Sequence, residues 1–155
     1  MSFDTEYALQ DIFREAVKEH LVLNLKTDAD WTRFRAISES ARDQINTENE
    51  SYRRDYEARV DKARQKILHK AGSLTHDHPT PHGIDRFDKD VINREAQRIV
   101  RHDHARRLYT IREDEITGYE ALQTDIRARG QIRGQARDPF NRATERRSGP
   151  DRRRE

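Results

Sequence analysis

The stretch between Thr27 and Gly72 contains neither proline nor glycine, and this continuity constrains the fold of the 155-residue chain more than any other feature. Apolar side chains recur along it every three or four residues, the spacing that places them on one face of an α-helix. They are Trp31, Phe34, Ala41, Ile45, Tyr52, Tyr56, Val60, Ala63 and Ile67. Thr27 and Asp30 resemble a capping box, and Gly72 is of the type that closes helices. The pattern predicts one helix over 28–71, with a kink or break near 46–51, where polar residues interrupt the series, as the alternative.

Two further helices are predicted on either side of this one. The N-terminal helix, over 4–25, rests on the three/four spacing of Leu9, Ile12, Phe13, Ala16, Val17 and Leu21. The C-terminal helix, over 86–128, carries a similar series from Phe87 to Ile126. Residues 72–85 contain two prolines and two glycines, which favour an irregular connection.

These lengths predict an all-α, elongated fold. Two helices of about 43 residues would each be about 64 Å long at 1.5 Å per residue. Joined by a loop of 14 residues, they predict an antiparallel hairpin with coiled-coil-like or bundle packing, and the shorter N-terminal helix would pack on one end. The helical domain would span 1–129. Because single narrow apolar faces are easier to bury between chains than within one, we expect self-association or a helical protein partner.

Composition excludes several classes of protein. Charged residues make up 39% of the chain and hydrophobic residues 32%, and no apolar run is long enough to cross a bilayer. The absence of cysteine excludes disulfides, thiolate catalysis and cysteine-ligated zinc. The first residues do not form a secretory signal, so we expect a cytoplasmic protein without membrane contact.

The net charge of +2 conceals a strong asymmetry between the body and the C-terminal end. Residues 127–155 hold ten arginines, no lysine and four acidic residues. We expect a disordered basic tail over 130–155, whose arginines bind nucleic-acid phosphates or, alternatively, an acidic protein. The ten candidates are Arg127, Arg129, Arg133, Arg137, Arg142, Arg146, Arg147, Arg152, Arg153 and Arg154.

Histidines provide the weaker candidate sites. His76, His78 and His82 lie in the predicted connection, where alternate side chains of an extended segment can share a divalent metal. The dipeptide His102-Asp103 resembles the adjacent His-Asp pair of the HD-domain phosphohydrolases. That resemblance implies a metal-dependent hydrolase whose remaining ligands would be His69 or His76 and Asp125. His104 cannot join His102 at one metal, because residues two apart on a helix point about 200° from each other.

The sequence contains no phosphate-binding glycine-rich loop and no nucleophile-elbow motif. We therefore predict a non-enzymatic helical interaction or scaffold protein that needs no cofactor. A nucleic-acid-binding accessory protein anchored through the arginine tail is the alternative, and the metal-dependent hydrolase comes third.

Overall fold

The computed structural model describes residues 3–75 and 86–136, with side chains over 4–70 and 89–131. This part of the chain consists of three α-helices and contains no strand. Helix α1 spans Phe3–Asn24, α2 spans Asp28–Thr75 and α3 spans Arg86–Ala136. The all-α prediction is confirmed, and the two longer helices pack against each other.

The start of α2 follows the predicted cap. The Oγ1 atom of Thr27 accepts a hydrogen bond from the backbone N–H of Asp30 at 3.1 Å, which satisfies one of the unpaired donors of the first turn. At the end of α1, the side-chain amide of Asn24 donates to the carbonyl of His20 at 2.9 Å. Side-chain hydrogen bonds thus lie at the end of α1 and at the start of α2, and no proline or glycine lies between the two helices.

The predicted helix ends were less accurate than the starts. Helix α2 continues through 46–51, so a break there is wrong, and it passes Gly72 to end at Thr75. Helix α3 continues past 128 to Ala136 and includes Gly130 and Gly134. A glycine inside a helix costs about 1 kcal/mol but does not prevent the helix from continuing, whereas proline does.

The contacts give the direction of each helix pair. Residue numbers rise along α2 as they fall along α3, because Phe34 stacks on Tyr119 while Glu48 contacts His104. The two helices therefore run in opposite directions. Numbers rise together along α1 and α3, since Tyr7 contacts Tyr109 and Arg14 contacts Glu115. Helix α1 thus runs parallel to the second half of α3 and covers that half alone.

The molecule accordingly has two differently built halves. The three-helix half contains α1, and its buried core is formed by Leu21, Leu25, Phe34, Tyr119 and Leu122. The two-helix half contains only α2 and α3, and its smaller buried core is formed by Val60, Ala63, Ala96 and Val100. Large aromatic and leucine side chains fill the first core, while two of the four residues in the second are alanines.

At Gly118 of α3, the side chain of Ile37 from α2 lies against the space that a Cβ atom would occupy. A Cβ atom at this position would lie 3.1 Å from Cγ2 of Ile37. Glycine lowers the intrinsic stability of α3 here, but it allows Ile37 to pack directly against the helix backbone.

Candidate interaction surfaces

A buried polar cluster joins all three helices in the three-helix half. The Glu115 carboxylate, 3% exposed, accepts a hydrogen bond from Arg112 at 2.7 Å and lies 3.7 Å from Arg14 of α1. The hydroxyl of Tyr119 donates to the same carboxylate at 2.8 Å. Because that donation uses the only proton of Tyr119, the hydroxyl of Ser38 on α2 donates to the tyrosine oxygen at 2.6 Å. The cluster therefore fixes the register of α1 and α2 along α3.

Tyr119 keeps its proton in this cluster. Burial raises the pKa of the Tyr119 hydroxyl to about 12, with a contribution from the Glu115 carboxylate and against the opposing hydrogen bond from Ser38. The protonated hydroxyl can therefore donate to Oε1 of Glu115, while Arg112 donates to Oε2. The Glu115 carboxylate and the hydroxyls of Tyr119 and Ser38 find their partners within the fold, which gives the cluster a structural role, while Nε of Arg14 is buried without a hydrogen-bond partner among the described residues.

A second polar cluster lies between the two cores. The Glu48 carboxylate accepts hydrogen bonds from Arg59 at 3.1 Å and contacts Nδ1 of His104 at the same distance. The imidazole of His104 stacks on the ring of Tyr52 with centroids 3.9 Å apart, and Arg107 lies 3.6 Å from Glu48. Burial alone would raise the pKa of Glu48, but the hydrogen bonds with His104 and Arg59 lower it. The carboxylate is therefore ionised at neutral pH and connects α2 to α3.

Helix α1 carries an apolar face that no described residue covers. We call Leu9, Ile12, Phe13 and Leu23 the outer stripe. Their exposed fractions are 53%, 67%, 53% and 81%, and they lie within an arc of about 100° on the helix. In the sequence, Leu9, Ile12 and Phe13 belong to the same three/four series as Val17 and Leu21, but in the structure they do not pack together with them. Only Val17 and Leu21 turn toward α3, so α1 has two apolar faces.

Acidic residues border the outer stripe on one side. Glu15 and Glu19 lie one turn apart on this flank; both are exposed, and Glu15 also contacts Arg14 at 3.2 Å. The helix as a whole holds five acidic residues against one arginine and one lysine. Exposed apolar groups beside exposed carboxylates make α1 an acidic amphipathic surface.

A basic groove runs along the two-helix half. Its volume is about 860 Å³, and the apolar side chains of Ala63, Ile67, Ile99 and Val100 contribute to its lining. The polar groups that line it are Arg59, Lys62, Lys66, Lys70, His69, Asp103 and Arg107. The sequence did not reveal this groove, although the basic residues 59, 62, 66 and 70 follow helical spacing. Recognising it requires knowing which face of α2 meets α3.

The predicted arginine site is only partly within the described residues. Arg129 binds Asp30 at the start of α2, and Asp30 is buried. Burial alone would raise the pKa of Asp30, but hydrogen bonds from Arg129 and Thr27 lower it. Arg127 is exposed two residues before Arg129, and Arg133 lies within α3. This arginine therefore holds α3 to α2, and its binding to phosphates stays a prediction.

The other seven candidate arginines lie outside the described residues. They are Arg137, Arg142, Arg146, Arg147, Arg152, Arg153 and Arg154, and their binding to nucleic acid stays a prediction.

The histidine candidates divide in the same way. His76, His78 and His82 lie outside the described residues. Of the HD-like set, His102 and Asp103 have side chains that are 43% and 61% exposed, and Asp125 forms an ion pair with Arg33. Over the part of the chain with described side chains, no three His, Cys, Asp or Glu residues form a group that could hold a metal ion. Within the described residues, His102, Asp103 and Asp125 do not assemble into one metal site.

Comparison with known proteins gives no further guide to function. No protein-family model, curated protein or solved structure matches the chain. Among the described helices, none combines the length and apolar character required to span a membrane.

Proposed function

We propose that the chain is a non-enzymatic helical scaffold protein that associates with itself. In this proposal α2 and α3 form an elongated hairpin with coiled-coil-like packing, and α1 provides an interaction surface at one end. The observation that carries the proposal is the outer stripe. Exposed apolar patches on a folded protein mark sites of interaction, and four large side chains lie on this face: Leu9, Ile12 and Phe13 within about one turn, and Leu23 about 15 Å further along the helix.

The charge of α1 favours a protein partner over a lipid surface. Helices that lie on membranes carry lysine and arginine beside their apolar face, which attract anionic headgroups. Glu15 and Glu19 occupy the flank of the outer stripe instead, and the helix is net acidic. A partner for this surface would offer apolar side chains bordered by positive charge.

The interior of the described region supports a structural role. The Glu115 and Glu48 carboxylates are 3% and 13% exposed, and each is paired with arginine within the fold. Nucleic-acid binding through the arginine-rich C-terminal tail stays the alternative.

The first prediction concerns the oligomeric state. At micromolar concentration, light scattering should give a mass of at least twice the 18.4 kDa of one chain. Replacing Leu9, Ile12, Phe13 and Leu23 together by glutamine should give a monomer with unchanged helical circular dichroism, because these side chains make little contact with the rest of the fold.

Leu68 supplies the matched control. It is 37% exposed and lies on α2, away from the outer stripe, so Leu68→Gln should keep the native mass. A native chain that stays at 18.4 kDa over the micromolar range would contradict self-association.

A further inference from the structure

We propose that the outer stripe of α1 in one copy docks in the basic groove of a second copy. This inference rests on the proposed self-association and identifies the two surfaces that meet. The partner is thus a second copy of this chain, and the contact is between different surfaces of the two molecules.

The groove has the composition that the outer stripe requires. Ile67, Ile99 and Val100 contribute apolar lining, while Lys62 and Lys66 stand exposed at its border. Its volume of about 860 Å³ lies in the range of sites that take several side chains. An apolar floor beside positive charge matches an apolar stripe beside negative charge.

Two of the lysines are available for a partner. Within the described residues, neither Lys62 nor Lys66 forms an ion pair, whereas Arg59 and Arg107 are already engaged by Glu48. Asp103 also lines the groove, but with this one carboxylate the net charge of the lining is still positive. The lysines therefore define the positive border that an acidic helix would meet.

The spacing of the opposed charges is the same on both surfaces. Glu15 and Glu19 are four residues apart on α1, and Lys62 and Lys66 are four residues apart on α2. Each pair therefore spans about 6 Å along its helix. Two helices laid side by side can place both carboxylates opposite both ammonium groups while the outer stripe faces the groove.

The α1 helix of the same chain cannot occupy the groove. Gln10 binds the Tyr109 carbonyl at 3.0 Å and Glu113 at 2.8 Å, and Arg14 reaches Glu115, so α1 is held on the three-helix half. The groove lies on the other half, between residues 59–70 of α2 and 99–107 of α3. Contact between the two surfaces therefore requires a second molecule, and a pair of copies can form it twice.

Two charge-reversed variants of the full chain test this pairing. The groove variant carries Lys62→Glu and Lys66→Glu, and the helix variant carries Glu15→Lys and Glu19→Lys. Each alone places like charges opposite each other, and we expect the Kd of self-association to rise about 100-fold by analytical ultracentrifugation. In a 1:1 mixture, the acidic groove of the groove variant meets the basic α1 of the helix variant, and the native basic groove of the helix variant meets the native acidic α1 of the groove variant. Opposite charges face each other at both contacts, so the two variants should associate with each other at close to the native Kd.

Arg94→Glu with Arg101→Glu is the control that matches the charge change of the groove variant. Both arginines are exposed on α3 and neither lines the groove, so this variant should associate like the native chain. Circular dichroism on all variants checks that the helices persist.

The outcomes separate this inference from the proposed function. If the native chain associates and both reversed variants match the control, self-association stands and this interface is overturned. If both variants weaken but the mixture does not recover, the pairing of these surfaces is overturned. Association that disappears on nuclease treatment would show that nucleic acid joins the copies, and would also overturn the inference. A monomeric native chain would overturn the proposed function itself.

Discussion

Replacement of Leu122 by alanine is expected to lower the free energy of unfolding by about 3 kcal/mol. Leu122 has no exposed surface and lies in the core of the three-helix half with Phe34 and Tyr119. Removing three heavy atoms there costs their transfer free energy and leaves a cavity, because residues on all sides are held by helices that cannot move independently. Urea unfolding at a fixed chain concentration, followed by circular dichroism, measures the loss.

Leu68→Ala provides the comparison for this substitution. The chemical change is the same, but Leu68 is 37% exposed and belongs to neither buried core. Its loss should stay below about 1 kcal/mol, since surface positions contribute little. Equal losses at the two positions would mean that Leu122 does not belong to a packed core.

Replacement of Glu115 by alanine should cost a similar amount, about 3 kcal/mol, for an electrostatic reason. The substitution removes the acceptor for Arg112 and Tyr119 and leaves Arg14 beside a cavity. Arg14 is only 14% exposed and keeps its contacts with Asp11 and Glu15. The main cost is therefore the loss of the partner that Arg112 and Tyr119 share and of one of the three carboxylates around Arg14. Thermal and urea unfolding both report the change.

Glu120 is the control for Glu115. It is exposed on the same helix, so Glu120→Ala should change the free energy of unfolding by less than about 0.5 kcal/mol. A variant at Glu115 as stable as the one at Glu120 would mean that the cluster joining the three helices contributes nothing to stability.

The sequence allowed the helices to be predicted because their signals are local. The apolar series from Trp31 to Ile67 and the cap at Thr27 depend on neighbouring residues alone, and α2 begins where they indicate. The ends were harder, because glycine at 72, 130 and 134 signals a helix end only weakly. Nothing local distinguishes a glycine that closes a helix from one that lies within it.

The surfaces could not be predicted because they depend on how the helices meet. The series Leu9, Ile12 and Phe13 has the spacing of a packed face, and only the position of α3 reveals that Val17 and Leu21 are packed instead. Arg129 looked like one arginine among ten, yet Asp30 lies about a hundred residues earlier in the chain. Such pairings between distant residues carry no signal in a single sequence.

The unequal length of α1 and α3 has a consequence for local opening. Among the described residues, no third helix packs on the two-helix half, whose buried core of Val60, Ala63, Ala96 and Val100 is smaller than the core of the half that contains α1. Its helices can separate at a smaller free energy than global unfolding requires, and the amide hydrogens there exchange with solvent sooner. A helix bound along that half would lower the exchange rate by an amount proportional to the fraction of molecules that carry the bound helix.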